Sequence, residues 1–257
     1  MLAELMSLMP LWTLLVVLGI TLLAGLVKGA IGFALPLIIV SGLSLVLDPL
    51  LALAGVILPA LFSNVLQAGR HPVSEIKDAI REHWRFILMV CVMILIVAQI
   101  VVLLPQRAFY LILGVPVIGL SMVQLFGLRL AIPAHRRRVA EWVIGGLAGC
   151  TGGITGSWGP PTVLYLMALE TPKARQMLVQ GVIYSIGAVA LVAGHVQSGV
   201  LNGVTFWFSA LLLIPTFIGM QIGFRIGDRM DGERIRKVIL IVLVVAGANL
   251  IRRGLMG

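Results

Sequence analysis

Apolar residues fill most of this chain in long runs, which are separated by short polar or Gly/Pro-rich segments. Each run predicts one helical element, and the runs are 11–27, 31–47, 50–68, 85–104, 108–128, 140–152, 157–169, 174–195, 203–224 and 235–251. A helix needs roughly 20 mostly apolar residues to cross a bilayer, so most of these runs predict membrane-spanning helices. The runs 140–152 and 157–169 are shorter and predict half-helices that meet inside the protein.

Composition supports the same fold class. Of the 257 residues, 60% are hydrophobic and only 11% are charged, whereas about a quarter of the residues of a soluble domain are charged. We therefore predict one all-α polytopic transmembrane domain over residues 1–257, with 8 to 10 transmembrane segments, some of them half-helices or re-entrant. The first run has no basic segment before it and no small-residue cleavage site after it, so we expect a retained span rather than a cleaved signal peptide.

The two sets of five runs resemble each other. Gly29, Gly32 and Pro36 in GAIGFALP recur at the same separations as Gly153, Gly156 and Pro160 in GITGSWGP. A polar-Pro step follows each cluster, and a long run with small polar side chains comes next in both halves. The sequence thus predicts two repeats of about five helical elements each, over 11–128 and 140–253, joined by a basic cytoplasmic linker at 129–139.

The basic residues test how often each repeat crosses the membrane, because Lys and Arg collect in cytoplasmic loops. With five elements per repeat, only Arg107, Arg252 and Arg253 of the 19 basic residues fall on the outer side. With four crossings per repeat, the basic residues divide almost evenly between the two sides. The odd count is favoured, and it predicts inverted repeats with both termini outside. It also explains the net charge of +9 without a nucleic-acid partner.

Matched helix breaks in two inverted repeats indicate a substrate site, because irregular backbone inside a membrane occurs only where protein or a cavity surrounds it. Half-helix N-termini carry positive partial charge, which favours an anion. The candidate substrate-binding residues from the breaks are Lys28, Gly29, Gly32, Pro36, Gly153, Thr155, Gly156, Ser157, Trp158 and Pro160. We expect backbone amides and the hydroxyls of Thr155 and Ser157 to donate to the anion. The alternative for the glycines is close packing of helices.

Polar side chains in the following runs complete the candidate site. Lys28 lies between two apolar runs, and a charge inside a membrane indicates function by default, although a lysine near a helix end can also extend to the interface. Asn64, Gln67 and Tyr184 either line the site or form hydrogen bonds between helices, and both interpretations stay open.

Enzymatic chemistry is not indicated, because no paired carboxylates or nucleophile beside a base lie inside the runs. Seven of the ten acidic residues have basic neighbours in loop regions and are expected to be solvated: Glu75, Asp78, Glu82, Glu141, Asp228, Asp231 and Glu233. Cys91 and Cys150 lie in apolar runs without metal-ligand spacing. We therefore expect no enzyme activity, no metal and no cofactor, and a gradient as the source of energy.

The segments GAIGFALPLIIVSGLSLVLDP and GGITGSWGPPTVLYLMALETP, together with the two related halves, resemble the sulfite exporter TauE/SafE family of membrane permeases. The resemblance extends over nearly the whole chain, from about residue 14 to residue 253. It implies secondary transport of a small anion, chiefly a sulfur oxyanion or organosulfonate such as sulfite or sulfoacetate.

The sequence therefore predicts a multi-pass transporter, expected in a prokaryotic inner membrane, whose partners are a small anion, the lipid bilayer and protons or another coupling ion. A transporter of another small metabolite or ion, or a non-transporting membrane scaffold, is the alternative. The exact substrate, the direction of transport and the oligomeric state are left open by the sequence.

Overall fold

The computed structural model describes residues 10–126, 131–227 and 232–256. In these ranges the chain forms α-helices and two short 3₁₀ turns, and no β-strand. The α-helices are α1 (Leu11–Ile31), α2 (Leu35–Leu43), α3 (Pro49–Ala68), α4 (Val73–Ala98), α5 (Gln106–Leu125), α6 (Arg137–Thr155), α7 (Gly159–Ala168), α8 (Lys173–Gln197), α9 (Gly203–Leu211), α10 (Leu213–Gly227) and α11 (Gly232–Met256). The all-helical class is confirmed.

Six helical stretches among the described residues are long and apolar enough to cross a bilayer. They are α1, α3, α4 with the 3₁₀ turn after it, α5 up to Val123, α8 from Arg175, and α9 with α10 taken together. Residues 127–128 of the first predicted repeat, 129–130 of the predicted linker and 228–231 of the second predicted repeat lie outside the described residues. The last range contains Asp228 and Asp231.

The helix breaks occur where the sequence predicts them, but the lengths of the flanking helices differ. The run 31–47 was expected to be a full element, yet its helix α2 has nine residues and ends at Leu43. The run 140–152 was expected to be a half-helix, yet α6 begins at Arg137 and has 19 residues. Charged residues at the start of α6 form ion pairs with α4, so the helix begins before the apolar run does.

The run 203–224 is divided into two helices. α9 ends at Leu211 and α10 begins at Leu213. Pro215 explains the interruption, because a proline inside a helix lacks an N–H and its ring clashes with the carbonyl four residues earlier, here that of Leu211.

The helices pack in pairs that join the two halves of the chain. α1 packs along α10, α4 along α6, α5 along α11 and α3 against α8. Glycines allow close approach in these pairs; for example, Gly25 and Gly29 contact α10, and Gly149 and Gly153 contact α4. α3 and α8 are more enclosed than the other candidate spans, so they form the centre of the molecule.

Ionic contacts join the first turns of α6 and α8 to the first half of α4. Glu82 of α4 pairs with Arg137 of α6 at 3.3 Å and with Arg175 of α8 at 2.5 Å. At another position Arg253, near the end of α11, donates to the carbonyls of Ser44 and Leu45 after α2. All three arginines predicted outside, Arg107, Arg252 and Arg253, line one surface cavity.

Candidate functional site

The two helix breaks face each other across a small cavity at the centre of the molecule. The first break contributes Lys28, Phe33, Ala34 and Pro36, the second contributes Gly156, Ser157, Trp158 and Gly159, and α3 and α8 add Asn64 and Tyr184. We call this space the central cavity. Its volume is about 20 Å³, which is enough for roughly one water molecule.

Left-handed backbone creates each break. Gly32, with φ 82°, ends α1, and Gly156, with φ 69°, ends α6. In both helices the N–H of this glycine donates to the carbonyl four residues earlier, Lys28 O or Gly152 O, at 2.8 Å. Such a φ is strained for residues with a Cβ, so glycine fits both positions. Prolines then start the next helices, since Pro36 and Pro160 lie in the first turns of α2 and α7.

Lys28 is the cationic residue of the central cavity, and it is 2% exposed. Its Nζ donates to the carbonyl of Gly32 at 2.8 Å and to Asn64 Oδ1 at 2.6 Å. The amine also lies 4.9 Å from the centroid of the Tyr184 ring, a favourable distance for a cation over an aromatic face. A lysine ammonium has three N–H groups, so one remains beyond these two bonds.

Asn64 and Tyr184 connect the first break to the second. Asn64 Nδ2 donates to the carbonyl of Tyr184 at 3.3 Å, and the Tyr184 hydroxyl donates to the carbonyl of Gly159 at 3.1 Å. A chain of hydrogen bonds therefore runs from Lys28 through α3 and α8 to the start of α7.

Trp158 supplies a second unused donor. It is 2% exposed, and its ring meets Tyr184 edge to face with centroids 6.2 Å apart. Gly187 of α8 makes room for the indole, because a Cβ there would lie 3.0 Å from Trp158 Nε1. Nε1 has no hydrogen-bond partner among the described residues. Buried donors are normally satisfied, so this N–H is a candidate for ligand binding.

The other donors expected at the second break are fewer than the sequence suggested. Pro160 and Pro161 have no N–H, so of the first three residues of α7 only Gly159 offers an amide. The Thr155 hydroxyl donates to Thr151 O at 2.7 Å and accepts from the Ser157 amide at 3.2 Å. Its proton is already used.

Thr155 and Pro160 do not line the central cavity. They lie with Ser157 on a smaller cavity of about 10 Å³ on the α5 side of the break, where Leu113 and Val117 also contribute. Ser157 borders both cavities. The second break therefore separates two spaces, and Ser157 is positioned between them.

Gly29 and Gly153, two candidates from the repeated motif, lie in helix contacts. A Cβ at Gly29 would meet the backbone of α10 at Phe224 N, 2.8 Å away, and a Cβ at Gly153 would lie 3.0 Å from Ile94 O of α4. Both positions let helices approach closely, the alternative that the sequence left open.

Gly32 and Gln67 lie beside the central cavity. The point where a Gly32 Cβ would stand is 3.3 Å from Gln67 Nε2 and 3.2 Å from Gln180 Oε1. Gln67 also lines a separate cavity near Arg70. Of the candidate residues, the structure thus brings Lys28, Pro36, Asn64, Gly156, Ser157, Trp158 and Tyr184 together around one space.

Two features, one at the central cavity and one away from it, were not predicted. Phe33 and Ala34 line the central cavity, but apolar residues in an apolar run give no signal in a single sequence. Glu141 was expected to be solvated and is instead 1% exposed. It accepts hydrogen bonds from Arg85, Arg137 and the Tyr165 hydroxyl, so its charge is neutralised inside the protein.

No carboxylate among the described residues lines the central cavity. Apolar helices of spanning length, two facing helix breaks and a buried lysine define a polytopic membrane transport protein.

A family model described as Sulfite exporter TauE/SafE matches residues 17–250. The chain belongs to this family, and the resemblance seen in its motifs is confirmed. No curated protein and no solved structure matches the chain.

Proposed function

We propose that this protein is a secondary transporter that moves a small sulfur oxyanion or organosulfonate across the prokaryotic inner membrane. The observation that carries the proposal is Lys28, a buried lysine on a cavity that no described carboxylate lines. The protein's family indicates the class of transported solute, since the matched family model is that of a sulfite exporter.

The chemistry of the central cavity suits an oxyanion. A charge inside a membrane protein is unfavourable without a partner, and an anion between the two breaks would neutralise Lys28. Its oxygens would accept from the third N–H of Lys28, from Trp158 Nε1 and from the Gly159 amide. Hydrogen bonds to charged groups are the stronger ones, so oxyanions would be preferred over neutral solutes.

The size of the central cavity implies movement. At about 20 Å³ it holds roughly one water molecule, whereas sulfite has four heavy atoms. The cavity therefore widens when substrate binds, and the hydrogen-bonded chain from Lys28 to Gly159 would transmit that change to both breaks.

Inverted repeats would explain how the movement gives alternating access. Under this relation α1, α2 and α3 correspond to α6, α7 and α8. The helix α4 corresponds to α9 together with α10, and α5 corresponds to α11. The pairing of α1 with α10 then corresponds to that of α6 with α4, and both pairs occur. The related glycines Gly29 and Gly153 make equivalent close contacts in these two pairs. These matches support a carrier whose halves rock around a central site.

Solute counterflow in proteoliposomes tests the function. We expect saturable uptake of labelled sulfite that thiosulfate or a small sulfonate reduces, with empty liposomes as the baseline. Lys28→Gln should lower this uptake by about tenfold or more, because a hydrogen bond to a charged group contributes about 1.5–3 kcal/mol and 1.4 kcal/mol is a factor of ten. Lys77→Gln is the matched control, since Lys77 is exposed on α4.

Two results would contradict the proposal. Equal uptake by the Lys28→Gln variant and the unchanged protein would remove the central cavity as the anion site. Absence of saturable uptake for every anion, in protein that elutes as a single folded species, would favour another cargo or a scaffold.

A further inference from the structure

A second, larger cavity opens near the central one, at the end of the molecule where α3 meets the start of α4. Gln67, Arg70, His71 and Met177 line it, and its volume is about 240 Å³. We call it the vestibule. It lies beside the basic loop after α3, on the side where the positive residues predict cytoplasm.

A single methionine separates the vestibule from the first helix break. Met177 lines the vestibule, and its Sδ occupies the space that a Cβ on Gly32 would need. On the other side of Gly32, its carbonyl accepts from Lys28 Nζ. The order of contacts is therefore vestibule, Met177, Gly32 and Lys28.

Two buried glutamines accompany Met177 at this barrier. Gln67 Nε2 donates to the carbonyl of Met177 at 2.9 Å, which ties α3 to α8. The Oε1 atoms of Gln67 and Gln180 are buried and have no hydrogen-bond partner among the described residues, although both glutamines are at most 4% exposed. Unpaired acceptors of this kind indicate a place that water or another hydrogen-bond donor visits.

We propose that the vestibule is the cytoplasmic access site for the oxyanion and that Met177 is the gate between it and Lys28. Arg70 gives the vestibule its positive character, and it also contacts the Phe224 ring at 4.3 Å. His71 lies beside it, 3.7 Å from Glu75. The proposal rests on the proposed function for the identity of the solute, but the position of the gate does not depend on it.

Met177 is suited to a gate because its side chain is unbranched and adaptable. It is half-buried, so one rotamer change would carry its sulfur from Gly32 into the vestibule. The amide groups of Gln67 and Gln180 would then offer the passing anion N–H donors in place of water. Glycine at position 32 leaves the space that the methionine fills.

Cysteine accessibility measured from one face tests the gate. In protein with Cys91→Ser and Cys150→Ser, the replacement Ser157→Cys puts a thiol on the central cavity. Inside-out vesicles are treated with a membrane-impermeant, anionic methanethiosulfonate that carries a sulfonate group. We expect Met177→Ala to speed modification of this thiol by about tenfold, a barrier lowered by about 1.4 kcal/mol, and Met177→Leu to change it little.

Met89→Ala is the matched control. Met89 is also half-buried and also packs over a glycine, with its Cε 3.2 Å from a Cβ built on Gly146, but it lies between α4 and α6. This variant should leave the rate unchanged. Reagent added to the outer face should react equally fast with and without Met177→Ala.

The outcomes separate the gate from the transported solute. Equal rates for Met177→Ala, Met177→Leu and Met89→Ala, in protein that performs sulfite counterflow, would overturn the gate and leave the proposed function standing. Faster modification from the cytoplasmic face in protein that carries none of the tested anions would support the gate and refute the cargo. Faster modification from the outer face alone would overturn the cytoplasmic assignment.

Discussion

Gly156 holds the second break in a conformation that disfavours any other residue, and this predicts a specific effect of substitution. Its φ is 69°, and an added Cβ would lie 2.9 Å from Val56 Cγ1. Gly156→Ala should therefore destabilise the protein by about 1–2 kcal/mol from backbone strain alone and displace Ser157 and Trp158. We expect lower sulfite counterflow, measured beside thermal unfolding in detergent.

Two other glycines provide controls for this prediction. Gly199 has φ 80° with nothing within 4 Å of an added Cβ, so Gly199→Ala introduces backbone strain without a clash. At Gly19, in the middle of α1, alanine introduces neither backbone strain nor a clash. Gly199→Ala should lower stability and keep transport, whereas Gly19→Ala should be neutral or stabilising by up to about 1 kcal/mol. If Gly156→Ala behaves like Gly199→Ala, the second break is not part of the transport path.

At the scale of single residues, the sequence predicted the breaks better than the cavity between them. Gly32, Gly156, Pro36 and Pro160 form the breaks because glycine and proline have local backbone effects that are visible in sequence. Gly29 shares the motif but packs against α10, and spacing alone cannot tell a packing glycine from a ligand-binding one.

An ionic network joins the starts of α6 and α8 to the first half of α4, and Glu141 is its buried member. It is 1% exposed and accepts from Arg137 Nε at 3.0 Å and Arg85 Nη1 at 3.1 Å. Glu141→Gln removes a charge that both arginines use. We expect a loss of about 1.5–3 kcal/mol, seen as a lower melting temperature in detergent.

Glu75→Gln gives the comparison for this network. Glu75 lies exposed on α4, with its side chain 3.7 Å from His71, and exposed pairs of this kind contribute at most about 1 kcal/mol. Its substitution should change the melting temperature much less. Equal shifts for the two variants would mean that the Glu141 network contributes no more than a surface charge.

Helix existence could be predicted from the apolar runs, but helix ends were harder to locate. α6 begins at Arg137 because Arg137 and Glu141 have partners on α4, and such partners are not visible in a single sequence. Glu141 was misassigned for the same reason: basic neighbours suggested solvent, whereas the neighbouring helix buries it. The interruption before Leu213 was missed although Pro215 was visible, because the whole run is apolar enough to span.

At the scale of the whole molecule, the repeated motif predicts a correspondence of elements, which stays a prediction, but it gives no signal of which helices touch. Contacts of α1 with α10 and of α3 with α8 depend on the folding of both halves together. The positive residues contributed more to the predicted topology, because their distribution favours an odd over an even number of elements per half. The odd count stays a prediction: it places the starts of α4 and α8 on the same side, whereas an even count would start them on opposite sides.

An odd and an even number of elements per half predict different faces for two loops, and this gives the last prediction, on the arrangement of the halves. With five elements in each inverted half, the loops before α5 and after α8 share the outer face, whereas the loops before α4 and before α6 share the cytoplasmic face. Single cysteines at the exposed positions Gln106 and Gln197 should react with an impermeant maleimide on intact cells. Cysteines at Ser74 and Ala134, also exposed, should react only after the membrane is opened. With four crossings per half, the cysteines at Gln106 and Gln197 would label from opposite faces, because each half would then return the chain to the side where it began.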